Sequence, residues 1–108
     1  MKLITKEIMG KLKNNPRDNA ANKPHLKLFN PAGAGTWLIS EISDDGDTMF
    51  GLCDLGHGHP ELGSVSLREI ENLELPFGLK IERDKWFEPN KTLNEYAAKA
   101  REVGYIIS

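Results

Sequence analysis

The chain has 108 residues, of which 39% are hydrophobic and 28% charged, a composition typical of globular proteins and unlike that of disordered segments. Its length is that of one domain, so we expect residues 1–108 to fold around one core. The 16 acidic and 14 basic residues give a net charge of -2, which excludes a general positive field for nucleic acid or acidic lipid.

Three further features bear on the cellular compartment. The single cysteine, Cys53, cannot form a disulfide within the chain, whereas small secreted domains usually carry several. The N-terminal apolar run is broken after Leu3 and Ile4, so the sequence predicts no secretory signal. No apolar stretch approaches the roughly 20 residues that a membrane-spanning helix needs. These features favour a cytoplasmic protein without a membrane partner.

The first elements in chain order are a helix and two strands. Apolar residues at spacings of three and four, behind a possible cap at Thr5, predict a short amphipathic helix that ends before Pro16. After a polar loop, alternation over 25–29 and β-branched and aromatic residues over 36–42 predict two strands separated by a turn at 30–35.

A hairpin follows, because Asp and Gly residues at 44–47 favour a tight turn and 48–55 is again strand-like. Both faces of this second hairpin strand are apolar, which is typical of a central strand. Asp54 is the polar exception on it, so we expect Asp54 to be buried and paired, with Arg83 as the proposed partner.

The second half of the chain alternates short strands and helices. A brief strand at Ser64 and Val65 is followed by a helix that a Ser66/Glu69 capping box begins. A strand is expected over 79–83, and a Thr92/Glu95 capping box begins a longer helix that Gly104 ends. The tail at 105–107 is compatible with an added edge strand.

Together these elements predict the α+β class. We expect a small, mainly antiparallel sheet of about four to five strands, with an N-terminal helix, a short middle helix and a C-terminal helix.

Five sequence blocks carry a resemblance to a known family, and they lie at 27–29, 35–38, 50–56, 60–63 and 78–84. With these blocks in this order, the chain from about Lys27 to Arg101 resembles a bacterial domain family of unknown function. That family is typically encoded on plasmids, integrative elements and other mobile DNA. The resemblance implies a genomic setting and no defined chemistry.

The segment 53–61 concentrates groups that bind metals. Asp54, His57, His59 and Glu61 suggest one alternative function, a small metal-dependent hydrolase in which the metal activates water and Glu61 acts as base. The spacing contains neither a His-x-x-x-His nor a Cys-x-x-Cys pair, which favours an ordinary solvated loop. We therefore expect no metal and no cofactor, with Asp54 and Glu61 as polar residues that support the core or a neighbouring site.

The segment 82–91 is the most distinctive, because charges alternate there with two large aromatic residues outside any clear helix. Trp and Arg are enriched at binding hot spots. The sequence therefore favours a non-enzymatic binding protein whose partner is a protein, binding through Arg83, Lys85, Trp86 and Lys91, with Trp37 as a neighbour if its strand lies beside this segment. A second alternative is an accessory nucleic-acid binder that uses Lys80, Arg83, Lys85, Trp86 and Lys91.

Overall fold

Residues 3–17 and 19–108 are described by a computed structural model, so Met1, Lys2 and Asp18 lie outside the described residues. The described chain forms three α-helices and one five-stranded sheet, which confirms the predicted α+β class. The helices α1 to α3 span Lys6–Asn14, Leu67–Glu71 and Leu93–Val103. The strands β1 to β5 span Leu26–Phe29, Thr36–Ile42, Thr48–Asp54, Glu61–Ser66 and Glu82–Arg83.

The sheet is open and antiparallel, with strand order β4-β3-β2-β1-β5. The first four strands form a meander, and β5 returns to pair with β1, where Arg83 lies opposite Leu28. The expected strand over 79–83 is shorter than predicted, because Leu79 closes a turn instead. Its amide donates to the Pro76 carbonyl at 3.3 Å, and its carbonyl accepts from the Leu75 amide at 3.1 Å.

Aspartates in the β2–β3 turn fix the hairpin. The Asp45 carboxylate accepts from the amides of Thr48 and Asp47 at 2.9 and 2.8 Å, and these hydrogen bonds lower the pKa of Asp45 to about 2. Asp47 accepts from the Ser66 hydroxyl and the Arg68 amide, both at 2.8 Å. The turn therefore also holds the beginning of α2.

Each face of the sheet carries its own core, so the expectation of one core is wrong. Successive residues of a strand point to opposite sides, and here both sides are apolar. On one side, the α1 face, helices α1 and α2 cover strand residues that include Leu28, Trp37 and Ile39. On the other side, the α3 face, helix α3 packs on Leu38 and Leu52. The result is a sheet between two helical layers.

The ends of α3 follow the sequence pattern, whereas the tail after it does not. The Thr92 hydroxyl accepts from the Glu95 amide, the Glu95 carboxylate accepts from the Thr92 amide, and Gly104 ends the helix at φ 86°. The expected edge strand at 105–107 is wrong: the tail adds no strand to the sheet, and the Ile106 amide donates to the Asp54 carboxylate at 3.2 Å. None of the described helices is long and apolar enough to cross a membrane.

Candidate binding surface

The connection between β5 and α3 begins with a tight turn at residues 84–87. The Asp84 carboxylate accepts from the Trp86 amide at 2.9 Å, and the Asp84 carbonyl accepts from the Phe87 amide at 3.4 Å. The Asp84 amide donates in turn to the Lys27 carbonyl on β1 at 2.9 Å. An aspartate side chain that bonds the amide two residues later is a standard device for fixing a turn. Hydrogen bonds within the turn and a hydrogen bond to strand β1 therefore fix its position.

Trp86 projects from this turn into solvent. Trp86 is 89% exposed, and the neighbouring Lys85 is also exposed. The next residue, Phe87, points the other way and packs on Tyr96 of α3, with ring centroids 6.4 Å apart. One aromatic residue of the pair therefore anchors the loop to the core, while the other is presented outward.

The far end of the loop is also tied to α3. The Tyr96 hydroxyl accepts from the Asn90 amide at 3.2 Å and donates to the Asn90 side-chain oxygen at 3.1 Å. The Lys91 ammonium lies 5.8 Å from the centroid of the Tyr96 ring, a distance typical of a cation–π contact. Lys91 therefore lies at the end of the same loop as Trp86, half-buried against the ring.

Arg83 and Trp37, which were also predicted to belong to this surface, are less exposed than Trp86. Arg83 is half-buried, faces the α1 side and donates to the Leu3 carbonyl at 2.5 Å, so the proposed Arg83–Asp54 pair is wrong. Trp37 is only 5% exposed in the core of the α1 face. Strand β1 separates its strand from β5, so Trp37 is not a neighbour of Trp86 in the exposed surface.

Asp54 and Glu61 lie on opposite faces of the sheet. Asp54 is 8% exposed on the α3 face, and its two oxygens accept from the Gly56 amide at 2.8 Å and the Ile106 amide at 3.2 Å. Glu61 is exposed and lies opposite Cys53 in the strand register, which places it on the α1 face. The Asp54 carboxylate thus binds backbone amides of the following bend and of the C-terminal tail, and not an arginine side chain.

The residues proposed for a metal site are not brought together. Within 3–17 and 19–108, no group of three or more His, Cys, Asp or Glu side chains could hold a metal ion. His57 and His59 are exposed in the β3–β4 loop. Cys53 packs against the α1-face core, and burial raises the pKa of its thiol to about 11, which disfavours the reactive thiolate.

Two depressions flank the Trp86 turn, and Lys27 and Asp84 line both. A hollow of about 350 Å³ lies toward α1, and burial followed by the charge of Lys11 lowers the pKa of His25 on its wall. A polar groove of about 670 Å³ lies toward the end of α3. The Lys27 ammonium is 3.7 Å from the Asp84 carboxylate between them. Sequence reasoning missed Lys27, because only the β1–β5 register brings it to Asp84.

Comparison with known proteins gives one family. Residues 3–107 match the family model described as Protein of unknown function (DUF2958). The chain belongs to the DUF2958 family. No curated protein and no solved structure matches it. The DUF2958 description names no activity.

The charges around Trp86 in this DUF2958 chain are mixed. Lys80 and Lys85 are exposed, but so are Glu82 and Glu88 on the same stretch of chain. Arg83 is occupied by the Leu3 carbonyl. The surface is therefore an apolar anchor among charges of both signs, and not a continuous basic patch.

Proposed function

We propose that the chain is a small non-enzymatic binding protein of a mobile genetic element, and that it binds a host or element-encoded protein through the Trp86 turn. The observation that carries the proposal is that Trp86 is 89% exposed on a turn held by Asp84. The genomic setting rests on the resemblance of five sequence blocks to a family found on mobile DNA.

An exposed tryptophan of this kind suits a binding hot spot for two reasons. Its indole is a large rigid apolar surface that partner contact would remove from water. The hydrogen bonds of Asp84 to the Trp86 amide and to the Lys27 carbonyl fix the turn beforehand, so little backbone freedom is lost on binding. The flanking Lys85 supplies a charged neighbour that favours one orientation of the partner.

The two alternatives from the sequence have less support. A nucleic-acid binder needs a row of free cations, and here Glu82 and Glu88 interrupt the lysines. A metal-dependent hydrolase needs its ligands at one point, and Asp54 and Glu61 point to opposite sides of the sheet. The mixed charges and the single apolar anchor favour a protein partner.

The test is an affinity capture from a host-cell lysate with three immobilised proteins: the wild type, Trp86→Ala and Phe77→Ala. Phe77 is the matched control, because it is also a surface aromatic residue and is 95% exposed on a different loop. We expect the wild type and Phe77→Ala to capture the same protein, identified by mass spectrometry. Trp86→Ala should bind that purified protein at least about 30-fold more weakly, the effect of losing about 2 kcal/mol at a hot spot.

Nuclease treatment and added salt separate the alternatives. Capture by the proposed mechanism survives nuclease and changes little with salt, whereas a nucleic-acid binder loses its cargo under both conditions. The proposal fails if Trp86→Ala keeps the partner, or if both alanine variants lose it equally, since equal loss indicates general adhesion of exposed aromatic rings. Thermal unfolding of the variants confirms that each is folded, because both changes are at exposed positions.

A further inference from the structure

The two edges of the sheet are built differently. The edge strand β5 has only two residues, Glu82 and Arg83, and both carry charge. The other edge strand, β4, runs for six residues, and its register with β3 contains no bulge. Proteins usually protect an edge by making it short or by placing charged residues, proline or a bulge in it. Strand β4 contains no bulge, lysine or proline, its one charge is at its first residue, Glu61, and its outer side is unpaired in the described chain.

A glycine in the middle of β4 has no explanation within the chain. Gly63 is not among the glycines with positive φ, and a Cβ added to it meets nothing within 4 Å. Gly51, directly opposite on β3, is different, because its Cβ would lie 2.1 Å from the Leu38 carbonyl oxygen. A glycine inside a strand weakens that strand, and it often marks a place where another backbone approaches closely.

We propose that β4 pairs antiparallel with β4 of a second copy of this chain, about a twofold axis that passes Gly63. The two five-stranded sheets then form one continuous sheet. A residue on a twofold axis faces its own copy, so a charged side chain there would meet its like charge, and the axis requires an uncharged residue. Gly63 meets that requirement, and Ser64 beside it is also small and uncharged.

The register that follows is self-complementary. Glu61, the only charged residue of β4, lies opposite Val65 of the second copy, and Leu62 lies opposite Ser64. Each of these pairs shares one face of the sheet, as antiparallel pairing requires. A parallel arrangement would require the second copy to turn over about the strand direction, so the α1 face of one sheet would continue into the α3 face of the other. The antiparallel twofold arrangement keeps the α1 face and the α3 face each continuous across the two sheets.

Dimerisation through β4 would also affect binding through the Trp86 turn, an inference that rests on the proposed function. The Trp86 turn follows β5, at the edge of the sheet remote from β4, so pairing through β4 leaves both turns free. A dimer would present two Trp86 turns at its opposite ends and bind a repeated or dimeric partner with avidity.

Sedimentation equilibrium on purified protein from about 10 µM to about 1 mM tests the pairing, a range that covers weak association. We expect the wild type to dimerise reversibly. Gly63→Lys and Gly63→Glu should each raise the dissociation constant at least about tenfold, because like charges then meet at the axis. An equimolar mixture of the two variants should dimerise again, since a lysine then faces a glutamate.

Two controls keep the outcome clear. Glu82→Lys changes the charge of the opposite sheet edge and should dimerise like the wild type. Trp86→Ala should also dimerise, so failure of the pairing is distinguishable from failure of the proposed partner binding. A wild type that stays monomeric up to about 1 mM overturns the proposal. Charged variants that dimerise as well as the wild type, or a mixture that shows no recovery, overturn it equally.

Discussion

The strongest expected destabilisation is that of Gly51→Ala. Gly51 lies in β3, inside the sheet, and an added Cβ would stand 2.1 Å from the Leu38 carbonyl oxygen and 2.9 Å from the Ile39 Cα. The obstacle is backbone of the neighbouring strand and not a movable side chain, so β2 and β3 must separate. Overpacking costs about 1–3 kcal/mol in most cores, and a backbone clash belongs at the upper end. We therefore expect the free energy of unfolding to fall by about 3 kcal/mol.

The assay is thermal and urea unfolding followed by circular dichroism. A loss of about 3 kcal/mol lowers Tm by about 12 °C or more in a domain of this size. Gly63→Ala is the matched control, because Gly63 lies opposite Gly51 and its Cβ meets nothing within 4 Å. Its stability should be unchanged or rise by up to about 1 kcal/mol, because alanine restricts the unfolded chain. If the two variants unfold within about 1 °C of each other, the steric argument is wrong.

Two further predictions concern Phe77 and Cys53. Phe77 has left-handed backbone angles, φ 63° and ψ 24°, which asparagine adopts more readily than other non-glycine residues. Phe77→Asn should therefore raise the free energy of unfolding by up to about 1 kcal/mol, whereas Phe77→Ala keeps the strain and should not. Equal stabilities of the two variants in urea would contradict this. Burial raises the pKa of the Cys53 thiol to about 11, so alkylation by iodoacetamide at pH 8 should be slow in the folded protein, speed up as pH rises toward the pKa, and become fast in urea. Alkylation at equal rates in folded and unfolded protein would show that the thiol is accessible.

The parts of the fold that were predicted correctly depend on local chemistry. The β2–β3 hairpin follows from Asp45, whose carboxylate accepts from the amides two and three residues later, and α3 follows from the reciprocal bonds of Thr92 and Glu95. Both devices act within four residues, so the sequence pattern contains them completely. The tail after α3 was mispredicted because Asp54, far away in the chain, binds the Ile106 amide.

The candidate site was harder to predict because it depends on strand register. The sequence does not say which face Arg83 occupies, and its pairing with Leu28 directs it to the α1 face and to the Leu3 carbonyl. Trp37 and Trp86 are equally apolar in sequence, yet one is in the core and the other is in solvent. Trp86 is exposed because it lies in the turn at Asp84, and hydrophobic periodicity does not predict such a turn.

The return of β5 to β1 has a consequence for the order of folding. The strands β1 to β4 pair with sequence neighbours, so the meander closes only short loops as it forms. Pairing of Arg83 with Leu28 closes a much longer loop, and closing a longer loop costs more chain entropy. Only the two-residue strand β5 offsets that cost, so this step is slower. The segment carrying Trp86 should therefore be the last to join the native structure and the first to detach from it, while the remaining sheet stays intact.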